Sequence, residues 1–211
     1  MIHRKLFSYL VAMILTASLM AIATPAARAA RVGESAPDFT GTASDGQTFK
    51  LSQFRGKYVV LEWHNHECPY TMKHYTSGNM QSLQKEWRAK GVVWFTIISS
   101  APGKQGYMEP AAENAYLKKM GADPTAAILD PTGTIGRLYD AKTTPQMIVI
   151  DPKGVLIYDG AIDDHPTTEV SDIKISKNYL DAALTESMAG QAVQTPVTRP
   201  YGCSVKYEGA E

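Results

Sequence analysis

The sequence predicts an α/β fold in which a mixed central sheet is flanked by helices. Three observations carry this prediction: several strand candidates, a helical pattern between the first two of them, and a tight turn between the last two. The chain has 211 residues, 44% hydrophobic and 20% charged, which is the composition and length of one globular domain. Basic and acidic residues both total 21, so no basic excess points to a nucleic-acid partner.

Four segments are predicted strands because β-branched and aromatic residues are enriched in them. Three of them are near-continuous apolar runs, which suit strands buried on both faces of a sheet. Between the first two strands, Met80, Leu83 and Trp87 recur at spacings of three and four before Gly91, which predicts a crossover helix, kinked or split at Gly78. The strands are residues 58–64, 92–99, 147–150 and 155–161, the helix is residues 69–90, and the predicted core includes Trp63, Trp87 and Trp94.

Turn and capping signals place the remaining elements. An Asp-Pro-Lys-Gly turn at 151–154 joins the last two strands as an antiparallel hairpin, and Asp45-Gly46 predicts an N-terminal hairpin. Pro110 opens a further helix, in which Tyr116 and Met120 continue a period of four. The other predicted elements are the N-terminal hairpin at 42–51, a short strand at 127–130, a short helix at 135–139 and a final helix at 172–188.

Residues 1–30 are predicted to be a secretory signal peptide. His3, Arg4 and Lys5 precede an apolar run at 6–23, and Ala-Arg-Ala at 27–29 gives an A-x-A cleavage pattern. The alternative is an uncleaved membrane anchor, although polar residues in the run and Pro25 favour cleavage. We therefore expect a periplasmic or secreted protein without stable membrane insertion, with a folded domain at 31–189 and an extended tail at 190–211.

The two cysteines, Cys68 and Cys203, can form one intrachain disulfide in an exported protein. This disulfide would be either a structural staple or a redox pair that opens and closes. The tail before Cys203 is long enough to reach across the domain to Cys68. Position along the chain leaves both interpretations open.

The neighbourhood of Cys68 indicates a reactive thiol. Cys68 follows a predicted strand and precedes Pro69, which suits the first position of a helix. A cysteine at a helix N-terminus lies at the positive end of the helix dipole, where backbone N–H groups stabilise a thiolate. The alternative is a buried structural cysteine. We expect Cys68 to be the nucleophile.

Three histidines, His64, His66 and His74, lie near Cys68 in the sequence, and together these four residues form a donor set for copper or zinc. This pattern supports an alternative function as a periplasmic metal-binding protein. The simpler interpretation is that the histidines are exposed and that His66 or His74 stabilises the thiolate as a cation. No cofactor is otherwise predicted, and residues 163–165 (Asp-Asp-His) are interpreted as an acidic loop.

Several motifs in fixed order resemble a known family. They are residues 31–39 (Arg-Val-Gly-Glu-Ser-Ala-Pro-Asp-Phe), Cys68-Pro69 after a strand, Thr144-Pro145 before the next strand, and Gly154 before the last strand. Together they resemble the redoxins of the alkyl hydroperoxide reductase/thiol-specific antioxidant superfamily, which have the thioredoxin fold. The resemblance covers roughly residues 31–184. The Trp-x-Asn-x-x-Cys-Pro stretch at 63–69 and the Pro-Tyr-Gly-Cys-Ser-Val-Lys-Tyr tail at 200–207 are similar to one exported branch.

The resemblance implies roles for two further residues. Glu62, six residues before Cys68, stands where thioredoxins place a buried acid that exchanges protons with the cysteines. It could act as a general base, or it could be a solvent-facing strand residue. Pro145 resembles the cis-proline that faces the active-site cysteine of thioredoxins.

Departures from the family pattern decide between two thiol chemistries. Thr71 replaces the second cysteine of Cys-x-x-Cys, so Cys203 is the candidate resolving cysteine. Peroxiredoxins have Thr and Arg where this chain has Asn65 and Pro145, so the resemblance implies an incomplete peroxide site. Asn65 could orient a substrate oxygen or form a turn. We expect a thiol-disulfide oxidoreductase with an external thiol reductant, and a thiol-dependent peroxidase is the alternative.

Overall fold

A seven-stranded mixed sheet forms the centre of the protein, in the order β2-β1-β5-β4-β3-β7-β8. The computed structural model describes residues 29–209, so the predicted signal peptide lies outside the described residues except for its last two positions. The strands are β1 (Thr40–Ala43), β2 (Thr48–Lys50), β3 (Val59–Trp63), β4 (Val93–Ile98), β5 (Ala126–Leu129), β6 (Thr143–Thr144), β7 (Gln146–Ile150), β8 (Leu156–Gly160) and β9 (Cys203–Ser204). The helices are α1 (Pro69–Thr76), α2 (Asn79–Ala89), α3 (Pro110–Met120), α4 (Thr134–Leu138) and α5 (Tyr179–Met188).

The strand pairings follow the sequence patterns. The apolar strands β3 and β4 pair in parallel, with Leu61 opposite Phe95, and β4 pairs in parallel with β5. The strands on either side of the predicted turn, β7 and β8, form an antiparallel hairpin, and β1 and β2 form the N-terminal hairpin. Every residue of β3, β4 and β7 is buried, which explains their continuous apolar character. The predicted mixed sheet with flanking helices is confirmed.

The crossover between β3 and β4 is split into α1 and α2 at Gly78, as predicted. Gly78 has φ 78°, in the left-handed region that favours glycine. The prediction of one final helix at 172–188 is wrong. A 3-10 helix, Val170–Lys174, comes first, and α5 begins after Asn178, whose side chain accepts a hydrogen bond of 2.9 Å from the backbone N–H of Asp181.

Two hydrophobic clusters hold the sheet between its helices. One cluster includes Leu61, Phe95 and Tyr139 on one face, and the other includes Trp94 and Leu180 on the opposite face. The three tryptophans predicted to be core are all buried.

The C-terminal tail follows the sheet rather than extending away from it. It first runs beside β8, where Asp159 forms a parallel bridge with Val197. It then forms β9, which pairs antiparallel with β6, and Val205 is buried just beyond this strand. Among residues 29–209, no helix combines the length and apolar character needed to cross a membrane.

Candidate active site

Cys68 lies where the chain leaves the buried strand β3 and enters α1. It is the N-cap residue of α1, with Pro69 as the first helical residue. Its backbone N–H donates to the carbonyl oxygen of Asn65 at 3.1 Å, and its own carbonyl oxygen accepts from the N–H of Met72 at 2.9 Å. The predicted position of Cys68 at a helix start is therefore confirmed. Its side chain is fully buried.

The segment around Thr144 lies between the two cysteines and contacts both of them. The Thr144–Pro145 peptide bond is cis, as the resemblance predicted for Pro145. The Cys68 thiol contacts the carbonyl oxygen of Thr144 at 2.9 Å, and Thr144 is paired with Cys203 across β6 and β9. The structure therefore places Cys203 beside Cys68 on the other side of the cis-proline segment. Both cysteines have free thiols in this arrangement.

The environments of the two thiols drive their pKa values apart. Burial raises the pKa of Cys68, but hydrogen bonds from the side chains of Cys203 and Thr144 and from the backbone of Thr71 and Cys203 outweigh burial and lower it. Burial, the hydrogen bond with Cys68 and the charge of Cys68 raise the pKa of Cys203 to about 12, while Lys206 opposes this shift. Cys68 therefore has the lower pKa and is the first of the pair to ionise.

Glu62 is fully buried beneath α1, so its interpretation as a solvent-facing residue is wrong. Its two carboxylate oxygens accept hydrogen bonds from four side chains on neighbouring strands and helices. Within residues 29–209, Cys68 is not one of its hydrogen-bonding partners, so a general-base role would need an intermediate carrier and stays a prediction. The four donors are Tyr75 at 2.7 Å, Trp94 at 2.8 Å, Gln84 at 3.2 Å and Thr96 at 3.4 Å.

Asn65 shapes the loop that presents Cys68. Its side-chain oxygen accepts from the backbone N–H of Glu67 at 2.8 Å, and its amide nitrogen donates to the carbonyl oxygen of Gln105 at 3.5 Å. A Cβ atom at Gly106 would collide with the Asn65 amide, so a glycine lets the two loops approach. This geometry supports Asn65 as a turn former.

The histidines near Cys68 do not form the predicted exposed group. His64 and His74 are buried and His66 is half-buried. Burial lowers the pKa of His66, and burial together with Lys73 lowers the pKa of His74 to about 4 despite the neighbouring carboxylates. Neither imidazole is a cation at neutral pH, so the prediction that one of them stabilises the thiolate is wrong. Within the described part of the chain, no group of three or more His, Cys, Asp or Glu side chains is arranged to hold a metal ion.

A buried ionic cluster beside α1 anchors the tail and is not evident from the sequence. Asp163, in the acidic loop that follows β8, is buried. Its carboxylate lies 3.5 Å from the Lys73 ammonium and 3.8 Å from His74 Nε2, and it accepts a hydrogen bond from the hydroxyl of Tyr201. The Tyr201 ring also packs edge-on against Tyr70, two residues after Cys68. Tyr201 thereby connects the tail to the helix that carries the thiol.

Comparison with known proteins identifies the fold. The model of the AhpC/TSA family matches residues 32–159. A hypothetical protein from Sinorhizobium meliloti 1021 is 20% identical, with a TM-score of 0.72 over 87% of this chain and 98% of its own. An uncharacterized conserved protein from Geobacillus kaustophilus is 23% identical, with a TM-score of 0.71 over 86% and 94%. A putative protein disulfide isomerase from Bacteroides thetaiotaomicron is 22% identical, with a TM-score of 0.54 over 79% and 92%. No curated protein matches the chain.

These likenesses and the arrangement of the cysteine, the cis-proline and the sheet define a thioredoxin-like redoxin. The family model covers more than half of the chain, so the chain belongs to the AhpC/TSA family. The family and the fold predicted from the sequence are both confirmed.

Proposed function

We propose that this protein is an exported thiol oxidoreductase that cycles Cys68 and Cys203 between a dithiol and a disulfide. One observation carries the proposal: the two cysteines lie on either side of Thr144, with the Cys68 thiol in contact with its carbonyl oxygen and Cys203 paired with its backbone. The opposed pKa shifts give each cysteine a different role. Cys68 attacks the substrate and Cys203 resolves the product.

The cycle begins when the Cys68 thiolate attacks one sulfur of a substrate disulfide. The substrate S–S bond breaks, a mixed disulfide forms on Cys68, and the leaving thiolate takes a proton from solvent. The charge of Cys68, which helps to hold the pKa of Cys203 high, is then gone, so Cys203 ionises more easily. Cys203 loses its proton and attacks the Cys68 sulfur, which releases the second substrate thiol and closes the Cys68–Cys203 bond. An external thiol reductant supplies the two electrons that restore the dithiol.

A disulfide fits this site better than a peroxide does. Peroxide cleavage depends on fixed donors that stabilise the separating oxygens, and loss of one such donor typically costs about 10² to 10³ in rate. Asn65, which stands where peroxiredoxins have Thr, is engaged in its own turn, and the position of their Arg is Pro145. Disulfide exchange depends mainly on the attacking thiolate, the leaving group and access.

Peroxidase activity remains the second candidate because of one observation. Cys68 is fully buried beneath the docked tail, and a small peroxide reaches such a thiol more readily than a protein disulfide does. Attack of the thiolate on peroxide would give a sulfenic acid and release water or an alcohol, and Cys203 would condense with the sulfenic acid to form the same disulfide.

Location outside the cytoplasm rests on the sequence of residues 1–30, with its basic start, apolar run and A-x-A pattern. A periplasmic or secreted location suits a protein whose two cysteines form a disulfide during turnover. Sequencing the N-terminus of the protein from its native host tests this proposal. We expect the mature chain to begin at Ala30 or an adjacent residue, and a full-length, membrane-integral chain would contradict it.

Exchange kinetics with a small disulfide test the cysteine assignments. The unaltered protein should reduce the disulfide, and Cys68→Ser should abolish the reaction. Cys203→Ser should stall as a mixed disulfide on Cys68, because the first attack is intact and the resolving thiol is absent. If Cys203→Ser turned over at the rate of the unaltered protein, Cys203 would not be the resolving cysteine. If the unaltered protein reduced peroxide rapidly, thiol-dependent peroxidase would become the better-supported function.

A further inference from the structure

A cavity of about 580 Å³ lies beside the tail segment that leads into Cys203 and has no part in the cycle proposed above. Its walls come from the tail at residues 198–202, from the segment after β8, and from Tyr179 at the start of α5. Small-molecule sites typically have volumes of roughly 300 to 1,000 Å³. The cavity therefore has room for a small organic ligand.

Through Gly202, the wall of this cavity adjoins Cys203 along the chain and the backbone of Thr144. A Cβ atom at Gly202 would collide with the carbonyl oxygen of Thr144, and that same oxygen contacts the Cys68 thiol at 2.9 Å. Cys203 follows Gly202 directly and is half-buried, whereas Cys68 is fully buried. A molecule in the cavity therefore lies against the residue that precedes Cys203, and Cys203 is the more exposed of the two thiols.

The cavity wall contains two aspartates and one arginine, and within the described part of the chain the aspartates have side-chain partners whereas the arginine has none. Asp163 already faces Lys73, and Asp164 accepts a hydrogen bond from His165 at 2.6 Å. Arg199 is exposed and has no ion pair or side-chain hydrogen bond among residues 29–209. A free guanidinium binds a carboxylate through two parallel hydrogen bonds. The side chains of Tyr179 and Tyr201 supply apolar surface beside it.

We propose that this cavity binds a small thiol that carries a carboxylate, and that this thiol reduces the Cys68–Cys203 disulfide by attacking Cys203. The redox step rests on the proposed function, whereas binding in the cavity does not. The ligand thiolate attacks Cys203 Sγ, the Cys68–Cys203 bond breaks, and Cys68 leaves as a thiolate. A second ligand thiolate attacks the ligand sulfur of the mixed disulfide, which releases the ligand disulfide and the Cys203 thiolate. Cys203 takes up a proton, and the protein has gained two electrons.

The difference between the two thiols favours this direction of attack. A disulfide breaks faster when its leaving sulfur is the more stable thiolate. Hydrogen bonds lower the pKa of Cys68 even though it is buried, whereas burial and the Cys68 charge raise that of Cys203. Cys68 is therefore the better leaving group, and Cys203 is the more accessible sulfur to attack.

Glutathione serves as the reactive probe. The oxidised protein is mixed with glutathione, quenched with acid and digested, and the mixed disulfide is located by mass spectrometry. We expect it on Cys203. Arg199→Ala should slow reduction by glutathione about fivefold and should leave reduction by uncharged 2-mercaptoethanol unchanged, whereas Arg31→Ala, an exposed arginine outside the cavity, should change neither rate. A mixed disulfide on Cys68, or an equal effect of Arg199→Ala on both thiols, overturns the proposal.

S-methylglutathione serves as the unreactive probe, which separates this proposal from the proposed function. Its binding to a Cys68→Ser/Cys203→Ser protein, measured by calorimetry, involves no redox step. We expect saturable binding that Arg199→Ala weakens about fivefold and Arg31→Ala leaves unchanged. Absence of saturable binding overturns the cavity assignment. Failure of Cys68 and Cys203 to form a disulfide would instead overturn the proposed function, and binding would still decide what the cavity accepts.

Discussion

Cys68 is fully buried and yet has a lowered pKa, because hydrogen bonds with Cys203, Thr144 and Thr71 outweigh its burial. Its place at the start of α1 could be predicted from the strand before it and from Pro69 after it. The side-chain donors could not be predicted, since Thr144 and Cys203 come from distant parts of the chain and only the folded tail brings them together. The sequence therefore indicates the nucleophile but leaves open how its thiolate is stabilised.

The contribution of Cys203 to that stabilisation can be measured. Cys203→Ala removes a hydrogen-bond donor, so the pKa of Cys68 should rise. Cys203→Ser is the matched control, because its hydroxyl can still donate, and it should raise the pKa less. Ultraviolet absorbance of the thiolate during a pH titration gives both values. A pKa that stays the same or falls in Cys203→Ala would contradict this account.

His74 should make stability depend on pH. Burial and Lys73 lower its pKa from 6.5 to about 4, against the carboxylates of Asp163 and Glu62. The unfolded chain therefore binds more protons between these two pH values, so stability is fully present above pH 6.5 and is lost as the pH falls towards 4. A shift of this size corresponds to about 3 kcal/mol.

Urea unfolding across this pH range checks the prediction. His74→Gln cannot titrate, so its free energy of unfolding should fall less between pH 6.5 and pH 4 than that of the unaltered protein. Altered packing is not confused with this effect, because the comparison uses only the change in the free energy of unfolding with pH and not its absolute value in His74→Gln. Parallel pH profiles for the two proteins would show that His74 does not carry the effect.

Residues 73 and 163 show where residue-scale prediction fails. A lysine within a short helix and an aspartate after a strand usually indicate solvent-exposed positions. Here they lie against each other in the interior, because the end of β8 packs beside α1. This contact between Lys73 and Asp163 depends on tertiary structure, and no local sequence pattern predicts it.

At the scale of elements, long periodic or apolar segments were predictable and short ones were not. The buried strands and the crossover helix split at Gly78 follow from apolar runs, helical spacing and a single glycine. The start of α5 was misplaced because its buried positions begin only at Leu180, and Asn178 supplies the cap. Strand β9 has two residues and exists through its pairing with β6, which sequence periodicity cannot reveal.

The tail should control access to Cys68, and Tyr207 is one of its anchors. The Tyr207 hydroxyl donates to the carbonyl oxygen of Ala141 at 2.8 Å, and its ring packs where a Cβ atom at Gly133 or Gly136 would collide with it. Tyr207→Ala removes both contacts, so the tail should open more often. Alkylation of Cys68 should accelerate about tenfold, the effect of losing roughly 1.4 kcal/mol of anchoring.

Alkylation followed by peptide mass spectrometry measures this opening. Tyr207→Phe is the matched control, since it keeps the ring and loses only the hydrogen bond, and it should fall between Tyr207→Ala and the unaltered protein. Circular dichroism verifies that each variant is folded. An alkylation rate of Cys68 that Tyr207→Ala leaves unchanged would show that the tail does not limit access.

At the scale of the whole molecule, the class of fold was predictable because it depends on the order of strands and helices along the chain. The sequence also supplied two cysteines that could meet. The relative position of the two cysteines could not be predicted from the sequence, because it depends on the cis-proline segment on one side and on the docked tail on the other. The docked tail places Cys203 beside Cys68, which is fully buried.

Mass spectrometry of the protein after treatment with one equivalent of a small disulfide tests the central claim most directly. The account predicts an intact mass lower by two hydrogen atoms, and a peptide containing Cys68 joined to one containing Cys203 until a reductant separates them. Cys68→Ser should lose this product entirely. The account would be contradicted if Cys68 kept the group from the oxidant, Cys203 stayed a free thiol, and no joined peptide formed at any time.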